Sequence, residues 1–350
     1  MALAIKFDSL LFKSIYTIEI GMTRFSACTI TSIALLHNSV FLTHLANISV
    51  NIHVNWNKYN ESLVKRGKVL LDFDLIDTWY SELEKMNKGK EGRKFAYPDS
   101  FIKLLGYMRA YFHLPYRQTE GVVREHASNS LPSIPHYSNI SRRINRLDIE
   151  VSDDVTKSSL HDDNFVIAID STGIKVTNRG EWIRHKWNVK RGYLKIHIAV
   201  DIKKKRILSL QVTSEQVHDG KVLPKLVDDI TIKQNKVIDT AIMDGSYDSN
   251  KNFQLLSFRG INPAINVRKN SRCRKTNHYL RNKTVKMQKN NLQQWKVSVD
   301  YGQRWIIETV FSCIKRMFGE YVTAIRLENM IKDIVLKASL YNWFRSIIIV

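Results

Sequence analysis

The sequence has few cysteines and no long uninterrupted apolar run. The three cysteines are Cys28, Cys273 and Cys313. Their wide spacing excludes a disulfide framework and a paired zinc-ligand motif, so a reducing cytoplasm is the expected compartment. A membrane-spanning helix needs about 20 predominantly apolar residues. The stretch from Phe25 to Val54 is interrupted by polar residues such as His37 and Asn38, and we therefore expect no membrane partner.

Acidic residues are also scarce relative to basic ones. The chain has 33 Asp and Glu against 54 Lys and Arg, which gives a formal net charge of +21. Such an excess favours a polyanionic partner, either DNA, RNA or an anionic membrane surface, over a small metabolite. The hydrophobic fraction of 44% is too high for a disordered basic tail, so we expect a packed globular protein large enough for two domains.

Residues 1–53 differ from the rest of the chain because they are poor in charge. No Lys, Arg, Asp or Glu occurs between Ser26 and Asn57. A transmembrane helix and a signal peptide are both weak interpretations, since Lys6 and Arg24 do not frame a short apolar run with a cleavage site. We favour an atypical N-terminal extension, such as one produced by a misplaced translation start, because helical patterns begin only near Trp56.

Residues 54–150 show the periodicity of amphipathic helices. The predicted helices cover residues 56–87 (one or two helices), 98–112, 117–128 and 137–147. The last of these carries Arg142 and Arg143, and a helix, a turn and a basic helix are the outline of a helix-turn-helix DNA reader. A plain helical hairpin with a solvated basic face explains the spacing equally well. The net charge favours DNA, so both arginines are candidate DNA contacts.

Residues 164–345 have strand-like patterns, which places a domain boundary between about residues 150 and 164. The predicted elements are a strand at 165–169, a hairpin of 193–201 and 207–213, a helix at 219–230, a strand at 237–243, a helix at 249–258, a strand at 263–267 and a helix at 301–318. This order predicts an α/β fold, a ribonuclease-H-like mixed sheet with helices on its faces, preceded by an all-helical region.

Two carboxylates follow strands that such a sheet would place side by side. Asp170 ends the first predicted strand and Asp244 ends the fourth. Burying unpaired charge there costs several kcal/mol unless something compensates, and a divalent cation is the natural compensator. Hard oxygen ligands suit Mg²⁺ or Mn²⁺, and two such ions can activate a water and stabilise the leaving oxygen of a phosphodiester. An ordinary strand-end Asp that caps a turn is the alternative for either residue alone.

The predicted helix at 301–318 carries a polar row. Tyr301, Arg304, Glu308 and Lys315 are spaced i, i+3, i+7 and i+14. At about 100° per residue they occupy a sector of roughly 60° on one helix face. The alternative is that Arg304 and Glu308 form a surface ion pair of the common i,i+4 type, worth only about 0.3 to 0.5 kcal/mol.

These residues resemble a known family. The string from Tyr301 to Lys315 matches without a gap the signature of the YREK group of DDE insertion-sequence transposases, and AIDSTG around Asp170 and MDGSYDS around Asp244 resemble its two Asp motifs. FHLPYRQTEG at 112–121 adds to the likeness, which covers residues 56–344 and is greatest to insertion-sequence families four and five. The interval between Asp244 and Glu308 is too short for the large β-rich insertion of some relatives.

The resemblance implies a function and a site. It implies two Mg²⁺ or Mn²⁺ ions, cleavage and strand transfer at inverted-repeat ends, and a homodimer or higher oligomer on the DNA of a prokaryotic nucleoid. Asp170, Asp244 and Glu308 would be the catalytic metal ligands. Tyr301, Arg304 and Lys315 would hold DNA phosphates. A non-catalytic DNA-binding protein and a structure-selective nuclease on the same fold are the alternatives.

Residues 268–296 contain ten basic residues and no acidic one. A solvated loop is one interpretation of this stretch. Its position beside the predicted catalytic helix favours phosphate tracking instead, with Arg272, Arg274 and Lys275 as candidate contacts. A second basic stretch, residues 182–191, is interleaved with tryptophans that could either stack on an unpaired base or pack in the protein.

Overall fold

Helices make up the first part of the described chain, and a mixed β-sheet follows them. The structure is a computed structural model that describes residues 55–70, 76–127, 131–151, 165–176, 192–273 and 279–347. The helices before the sheet are α1 (Trp56–Leu70), α2 (Ile76–Asn87), α3 (Asp99–Phe112), α4 (Tyr116–Ala127) and α5 (Tyr137–Ile144). The predicted helical region is therefore confirmed, with two helices in its first segment.

The sheet has the strand order β3-β2-β1-β4-β5, with β6 beside the end of β1. The strands are β1 (Phe165–Val176), β2 (Tyr193–Asp201), β3 (Arg206–Ser214), β4 (Ile238–Met243), β5 (Asn262–Ile265) and β6 (Tyr321–Val322). Strand β2 is antiparallel to β1 and β3, whereas β4 is parallel to β1 and β5. This order and these directions confirm the ribonuclease-H-like mixed sheet.

Further helices connect and cover the strands. They are α6 (Leu223–Asp228), α7 (Asn250–Phe258), α8 (Tyr279–Asn290), α9 (Leu292–Ser298), α10 (Trp305–Phe318) and α11 (Leu327–Ile347). Short 3-10 turns lie at Asp219–Lys221, Gly245–Tyr247 and Tyr301–Arg304, and a π-helical turn lies at Asp229–Lys233. The helix predicted at 219–230 is thus broken into separate turns, and the one predicted at 301–318 becomes an α-helix only at Trp305.

Strand β1 is longer than the sequence predicted. It continues to Val176, so Asp170 lies within the strand and not at its end. The reason is that β1 pairs with β2 along almost the whole length of β1. Its pairing with β4 ends earlier, at Ile169 and Met243. Asp244 does follow the end of β4, as predicted.

The free edge of β5 is covered by a side chain of α8. Gln288 Nε2 donates to the Ile265 carbonyl oxygen at 2.8 Å, and the Val267 N–H donates to Gln288 Oε1 at 3.0 Å. The glutamine is only 8% exposed. Its amide therefore provides the donor and the acceptor that another strand would otherwise supply.

Helix α11 joins the helical region to the sheet. The Tyr107 hydroxyl of α3 lies 2.8 Å from Ser339 Oγ of α11. A Cβ atom added to Gly106 would be 3.1 Å from Leu336 Cδ2, so the backbones of the two helices approach closely. One buried apolar cluster contains residues of both regions. The predicted domain boundary falls mainly in residues 152–164, which lie outside the described residues.

The predicted extension at residues 1–53 also lies outside the described part of the chain. Within the part that the structure describes, no helix combines the length and the apolar character needed to cross a membrane.

A buried charge cluster lies where α3 meets α11. Asp333 pairs with Arg109 Nη1 at 3.3 Å and with Lys337 Nζ at 3.6 Å, and the three side chains are at most 14% exposed. Lys337 Nζ also donates to the Tyr321 carbonyl oxygen at 2.8 Å. Asp333 is thus the carboxylate that neutralises two enclosed cations.

Asp333→Ala should destabilise the protein by about 3 to 5 kcal/mol, because it leaves Arg109 and Lys337 enclosed without their counter-ion. The free energy of unfolding from chemical denaturation measures this effect. Asp148→Ala is the matched control, since Asp148 is 96% exposed and lies 3.8 Å from Lys332 Nζ, and it should change stability little. Equal effects of the two substitutions would contradict the argument.

Candidate active site

Two carboxylates are brought to one end of the sheet by the parallel pairing of β1 and β4. Ile169 and Met243 are the last paired residues of the two strands. The next residues are Asp170 and Asp244. Because parallel strands run in the same direction, both carboxylates lie together where the β1–β4 pairing ends, although Asp170 is inside β1 and not at its end as the sequence predicted.

Each carboxylate is oriented by groups that follow it in the chain. Asp170 Oδ1 accepts from the Ser171 N–H at 2.7 Å. Asp244 Oδ1 accepts from the Ser246 N–H at 2.9 Å and from Ser246 Oγ at 2.5 Å, and thereby caps the Gly245–Tyr247 turn. Local hydrogen bonds therefore fix one oxygen of each acid.

The third acid is connected to the first through Arg304. Arg304 Nη1 donates to Asp170 Oδ2 at 2.9 Å, and Arg304 Nη2 donates to Glu308 Oε1. Arg304 ends the 3-10 turn, and Glu308 lies in the first turn of α10. The guanidinium group thus bridges residues that the sequence predicted to share a site. The side chain of Glu308 is 57% exposed, against 21% for that of Asp170.

The electrostatics of this cluster favour a cation. Burial raises the pKa of Asp170 above its ordinary value, the charge of Asp244 adds to the rise, and Ser171 and Arg304 oppose it without reversing it. Burial lowers the pKa of Arg304, but the charges of Asp170, Glu308 and Asp244 outweigh burial and raise it. The rise at Arg304 has the sign expected beside surplus negative charge, whereas the rise at Asp170 is due first to burial.

The donor set fits a hard divalent cation. Carboxylate oxygens are the ligands that Mg²⁺ and Mn²⁺ prefer, and Arg304 already provides a positive group between Asp170 and Glu308. Among the described residues no three His, Cys, Asp or Glu side chains form a ready-made cluster around one point. Asp170 and Asp244 are therefore the two acids placed by the strand pairing, whereas Glu308 is held by Arg304.

Tyr301 supports the end of β4. Its side chain is buried, and its hydroxyl donates to the Met243 carbonyl oxygen at 3.2 Å. Its ring lies 5.3 Å from that of Trp295, and burial raises its pKa. The phenol thus holds the strand residue before Asp244, and a phosphate would have to compete with that carbonyl for the hydroxyl proton.

Lys315 lies farther along the α10 face that carries Glu308. It is half-buried and lines a small cavity with Thr172 of β1 and Phe311. The cavity volume of 20 Å³ is enough for a single water molecule. Thr172 is two residues beyond Asp170 and therefore lies on the same face of β1. Lys315, the last residue of the polar row on α10, thus lies beside that face.

An open groove adjoins Arg304 and Glu308. Its volume is 470 Å³, and Lys296 and Trp305 are among its lining residues. Trp305 is 47% exposed, and Lys205 Nζ lies 5.5 Å from its ring centre. Arg304 and Glu308 therefore border a surface that is both aromatic and basic.

The basic stretch at residues 268–296 contains helices α8 and α9, which the sequence did not predict. Arg281 Nε and Nη2 donate to the two carboxylate oxygens of Asp248 at 2.7 and 3.0 Å. The side chain of Asp248 is 1% exposed. Arg281 thus attaches the basic stretch to the motif that contains Asp244.

The candidate DNA contacts of this stretch have different positions. Arg272 is exposed to solvent. Arg274 and Lys275 lie outside the described residues, as does the second basic stretch at 182–191. The arrangement of Arg272 suits a contact with an external phosphate, and the other candidates remain predictions from the sequence.

The two arginines of α5 also differ. Arg142 is exposed, and its Nε donates to the Ser138 carbonyl oxygen at 3.2 Å. Arg143 is 9% exposed, pairs with Asp99 at 2.5 Å and lies over the ring of Phe95. Arg143 therefore serves the packing of the helical region, and Arg142 is the cation that faces outward.

Asp219 is a further acidic residue near the site, and no motif in the sequence marks it. Its Oδ1 accepts from Lys195 Nζ at 2.6 Å and from Ser171 Oγ at 2.9 Å, and His197 Nδ1 lies at 3.4 Å. Burial acts to raise its pKa, but the hydrogen bonds from Lys195 and Ser171 outweigh burial and lower it. The available signal was an acidic residue at the first position of a predicted helix, five residues after the end of β3, which resembles an ordinary helix start.

Comparisons with known proteins agree on a family. Residues 163–343 match a family model described as a transposase DDE domain, and residues 64–179 match a second model with the same description. The first match covers more than half of the chain. It includes Asp170, Asp244 and Glu308.

Solved structures similar to this chain include chains of three assemblies. One is a chain of the simian T-cell lymphotropic virus intasome complex with PP2A regulatory subunit B56 gamma (12% identity, TM-score 0.25, 58% of this chain and 65% of that chain). Another is the Drosophila P element transposase strand transfer complex (12%, 0.31, 57% and 43%). The third is the piggyBac transposase synaptic complex with hairpin DNA (9%, 0.35, 80% and 73%). The chain thus spans less than two thirds of the first two.

The protein should lose stability as the pH falls, because of His197. This side chain is fully buried, and burial, only partly opposed by Asp219, lowers its pKa to about 4. The unfolded chain takes up the proton near pH 6.5, so stability is complete above that pH and falls between pH 6.5 and 4. The expected loss between pH 7 and 5 is about 2 kcal/mol.

Denaturation curves of the wild type and of His197→Gln at the two pH values measure this loss. The variant lacks the titrating ring and should show a smaller decrease. Identical decreases would mean that other groups account for the pH dependence.

Proposed function

The chain belongs to the DDE transposase family, and we propose that it cleaves and transfers DNA strands at the inverted-repeat ends of an insertion sequence. The observation that supports this best is the placement of Asp170 and Asp244 by the β1–β4 pairing, with Glu308 joined to Asp170 through Arg304. Three separate segments thus bring acidic groups to one end of a sheet, beside an open groove.

We infer that Asp170, Asp244 and Glu308 hold two divalent ions, Mg²⁺ or Mn²⁺. Such ions, when bound, activate the attacking water or hydroxyl and stabilise the leaving oxygen of the phosphodiester. The chain's own contribution is to orient Asp170 and Asp244 through Ser171 and Ser246. Glu308 stands on an exposed helical turn and joins them when Arg304 turns away.

The same movement gives Arg304 a second role. In the structure its guanidinium donors are used by Asp170 and Glu308. Once those carboxylates hold cations, the planar donor fork is available for a phosphate, which it matches in geometry. Arg304 is therefore proposed to exchange a carboxylate partner for a DNA phosphate beside the reacting bond.

The remaining DNA contacts are proposed from charge and exposure. Arg272 and Arg142 face outward, and Lys315 extends the polar row of α10. Arg274 and Lys275 complete the set. The burial of Arg143 and the Tyr301–Met243 hydrogen bond give these two residues structural partners, so we assign them supporting roles.

The finer assignment within the family is the YREK group, close to insertion-sequence families four and five. The ungapped spacing from Tyr301 to Lys315 supports it. We further infer that two or more copies act together on paired ends in a prokaryotic nucleoid, as the resemblance implies.

Asp170→Ala, Asp244→Ala and Glu308→Ala should each abolish cleavage of the element's ends while leaving DNA binding intact. The reason is that these acids hold metal, whereas phosphate contacts come from cations. Cleavage with Mg²⁺ or Mn²⁺ and binding without metal are measured on the same DNA. Asp239→Ala is the control, because Asp239 is an exposed carboxylate on the same strand, β4. Cleavage in excess chelator, or by any of the three variants, would refute the proposed site.

Arg272 and Arg304 should affect different steps. Replacing Arg272, Arg274 and Lys275 with Ala should weaken binding to all DNA alike and reduce the log–log salt slope by about 0.9 for each lost contact. Arg304→Ala should lower the single-turnover cleavage rate about 10²-fold with little change in affinity. Arg304→Lys should recover only part of the rate, since an ammonium lacks the planar fork.

Lys225→Ala on α6 is the control for the salt titration, because Lys225 is an exposed cation outside the basic stretch. A salt slope that the triple variant leaves unchanged would mean that these cations only face solvent. Cleavage at the wild-type rate by Arg304→Ala would show that the contacts of Arg304 with Asp170 and Glu308 are ordinary ion pairs without a role in the reaction.

A further inference from the structure

The 3-10 turn Asp219–Lys221 touches the segments that carry both central carboxylates. On one side, Asp219 Oδ1 accepts from Ser171 Oγ at 2.9 Å. Ser171 is the residue after Asp170, and its backbone N–H holds Asp170 Oδ1. Lys195 Nζ, at 2.6 Å from the same oxygen of Asp219, fixes the carboxylate in this position.

On its other side the same turn packs against the segment that follows Asp244. A Cβ atom added to Gly220 would lie 2.9 Å from Asn252 Nδ2 and 3.5 Å from the Ser246 carbonyl oxygen. Asn252 is 4% exposed and donates to the Tyr247 carbonyl oxygen at 2.9 Å. Because the nearest groups are enclosed, the contact leaves no room even for a methyl group.

Tyr247, whose carbonyl oxygen accepts from Asn252, has its side chain near all three carboxylates. It is fully buried, and its hydroxyl has no hydrogen-bond partner among the residues that the structure describes. Burial raises its pKa, and the charges of Asp219, Asp170 and Asp244 add to the rise. The neutral phenol therefore lies within the field of all three carboxylates, where the two segments and the turn meet.

We propose that the Asp219–Lys221 turn is a positioning clamp that sets the separation of the Asp170 and Asp244 carboxylates. Asp219 acts on Asp170 through Ser171, and Gly220 acts on Asp244 through Asn252 and Ser246. Asp219 is a positioning residue, because its Oδ1 oxygen accepts hydrogen bonds from Lys195 and Ser171 and acts on Asp170 only through Ser171. The inference rests on the proposed function, because the carboxylate separation matters only if these acids share metal ions.

Ser171→Ala tests the first half of the clamp, since it removes the hydroxyl and leaves the Ser171 N–H and the Asp219–Lys195 pair in place. Mn²⁺ binding to the full chain without DNA is measured by calorimetry, together with single-turnover cleavage as a function of Mn²⁺. We expect affinity to fall at least about ten-fold, as for the loss of other groups that orient metal ligands. The cleavage rate at saturating Mn²⁺ should fall less, and Ser171→Thr should restore affinity.

Ser209→Ala is the matched control. Ser209 Oγ of β3 donates to Asp229 Oδ2 at 3.1 Å, and the serine is 3% exposed. This variant loses a similar serine–aspartate hydrogen bond of the same sheet, so its melting temperature reports the purely structural effect. Its Mn²⁺ affinity should equal that of the wild type. A Ser171→Ala variant with wild-type affinity, or a Ser209→Ala variant with equally reduced affinity, would overturn the clamp.

Gly220→Ala tests the second half. The added methyl should separate the turn from Asn252 and lower Mn²⁺ affinity several-fold. Gly121→Ala on α4 is its control, because a Cβ atom there meets nothing within 4 Å, and affinity should not change. Unchanged affinity in Gly220→Ala would show that the contact does not set the carboxylate positions.

Asp170→Ala separates the two levels of inference. If it leaves Mn²⁺ binding unchanged, the proposed metal site is wrong. If it abolishes binding while Ser171→Ala and Gly220→Ala leave it unchanged, the metal site stands and the clamp alone is wrong.

Discussion

The parallel pairing of β1 with β4 is the constraint on which the rest of the site depends. It places Asp170 and Asp244 one residue beyond a shared pair, Ile169 and Met243. The hydroxyl of Tyr301 donates to the Met243 carbonyl oxygen, so the segment that leads into α10 is attached at the same point. Negative charge is thereby concentrated where the β1–β4 pairing ends. Strand β2 lies on the other side of β1, and β5 lies on the other side of β4.

The chain stabilises this charge with donors from other segments. Arg304 spans Asp170 and Glu308, Lys195 neutralises Asp219, and Arg281 forms a bidentate pair with Asp248. Except for Arg304 and Glu308, the paired basic and acidic residues are far apart in the sequence. These ion pairs therefore form only when the tertiary fold forms. Such pairs add little net stability, because removing ions from water offsets much of the attraction between them.

Short-range patterns predicted strands β1 to β5, the hairpin and the position of Asp244 after β4, because buried strands leave apolar runs that end in polar turns. They did not predict β6 or the continuation of β1 beyond Asp170. The sequence patterns did not predict helix α11, because it is buried against both the helical region and the sheet. Its apolar residues therefore form no single stripe. Spacing could not show that Arg143 faces Asp99, or that Asp219 reaches Ser171. Both depend on contacts between segments that are far apart in the sequence.

The glutamine amide at the edge of β5 limits how copies of this chain can associate. An open strand edge invites another chain to add a strand, and such pairing continues without closure into aggregates. At β5 the Gln288 side chain already uses the Ile265 carbonyl and the Val267 N–H. Strand addition at this edge is therefore blocked, and a second copy that approached it would meet side chains.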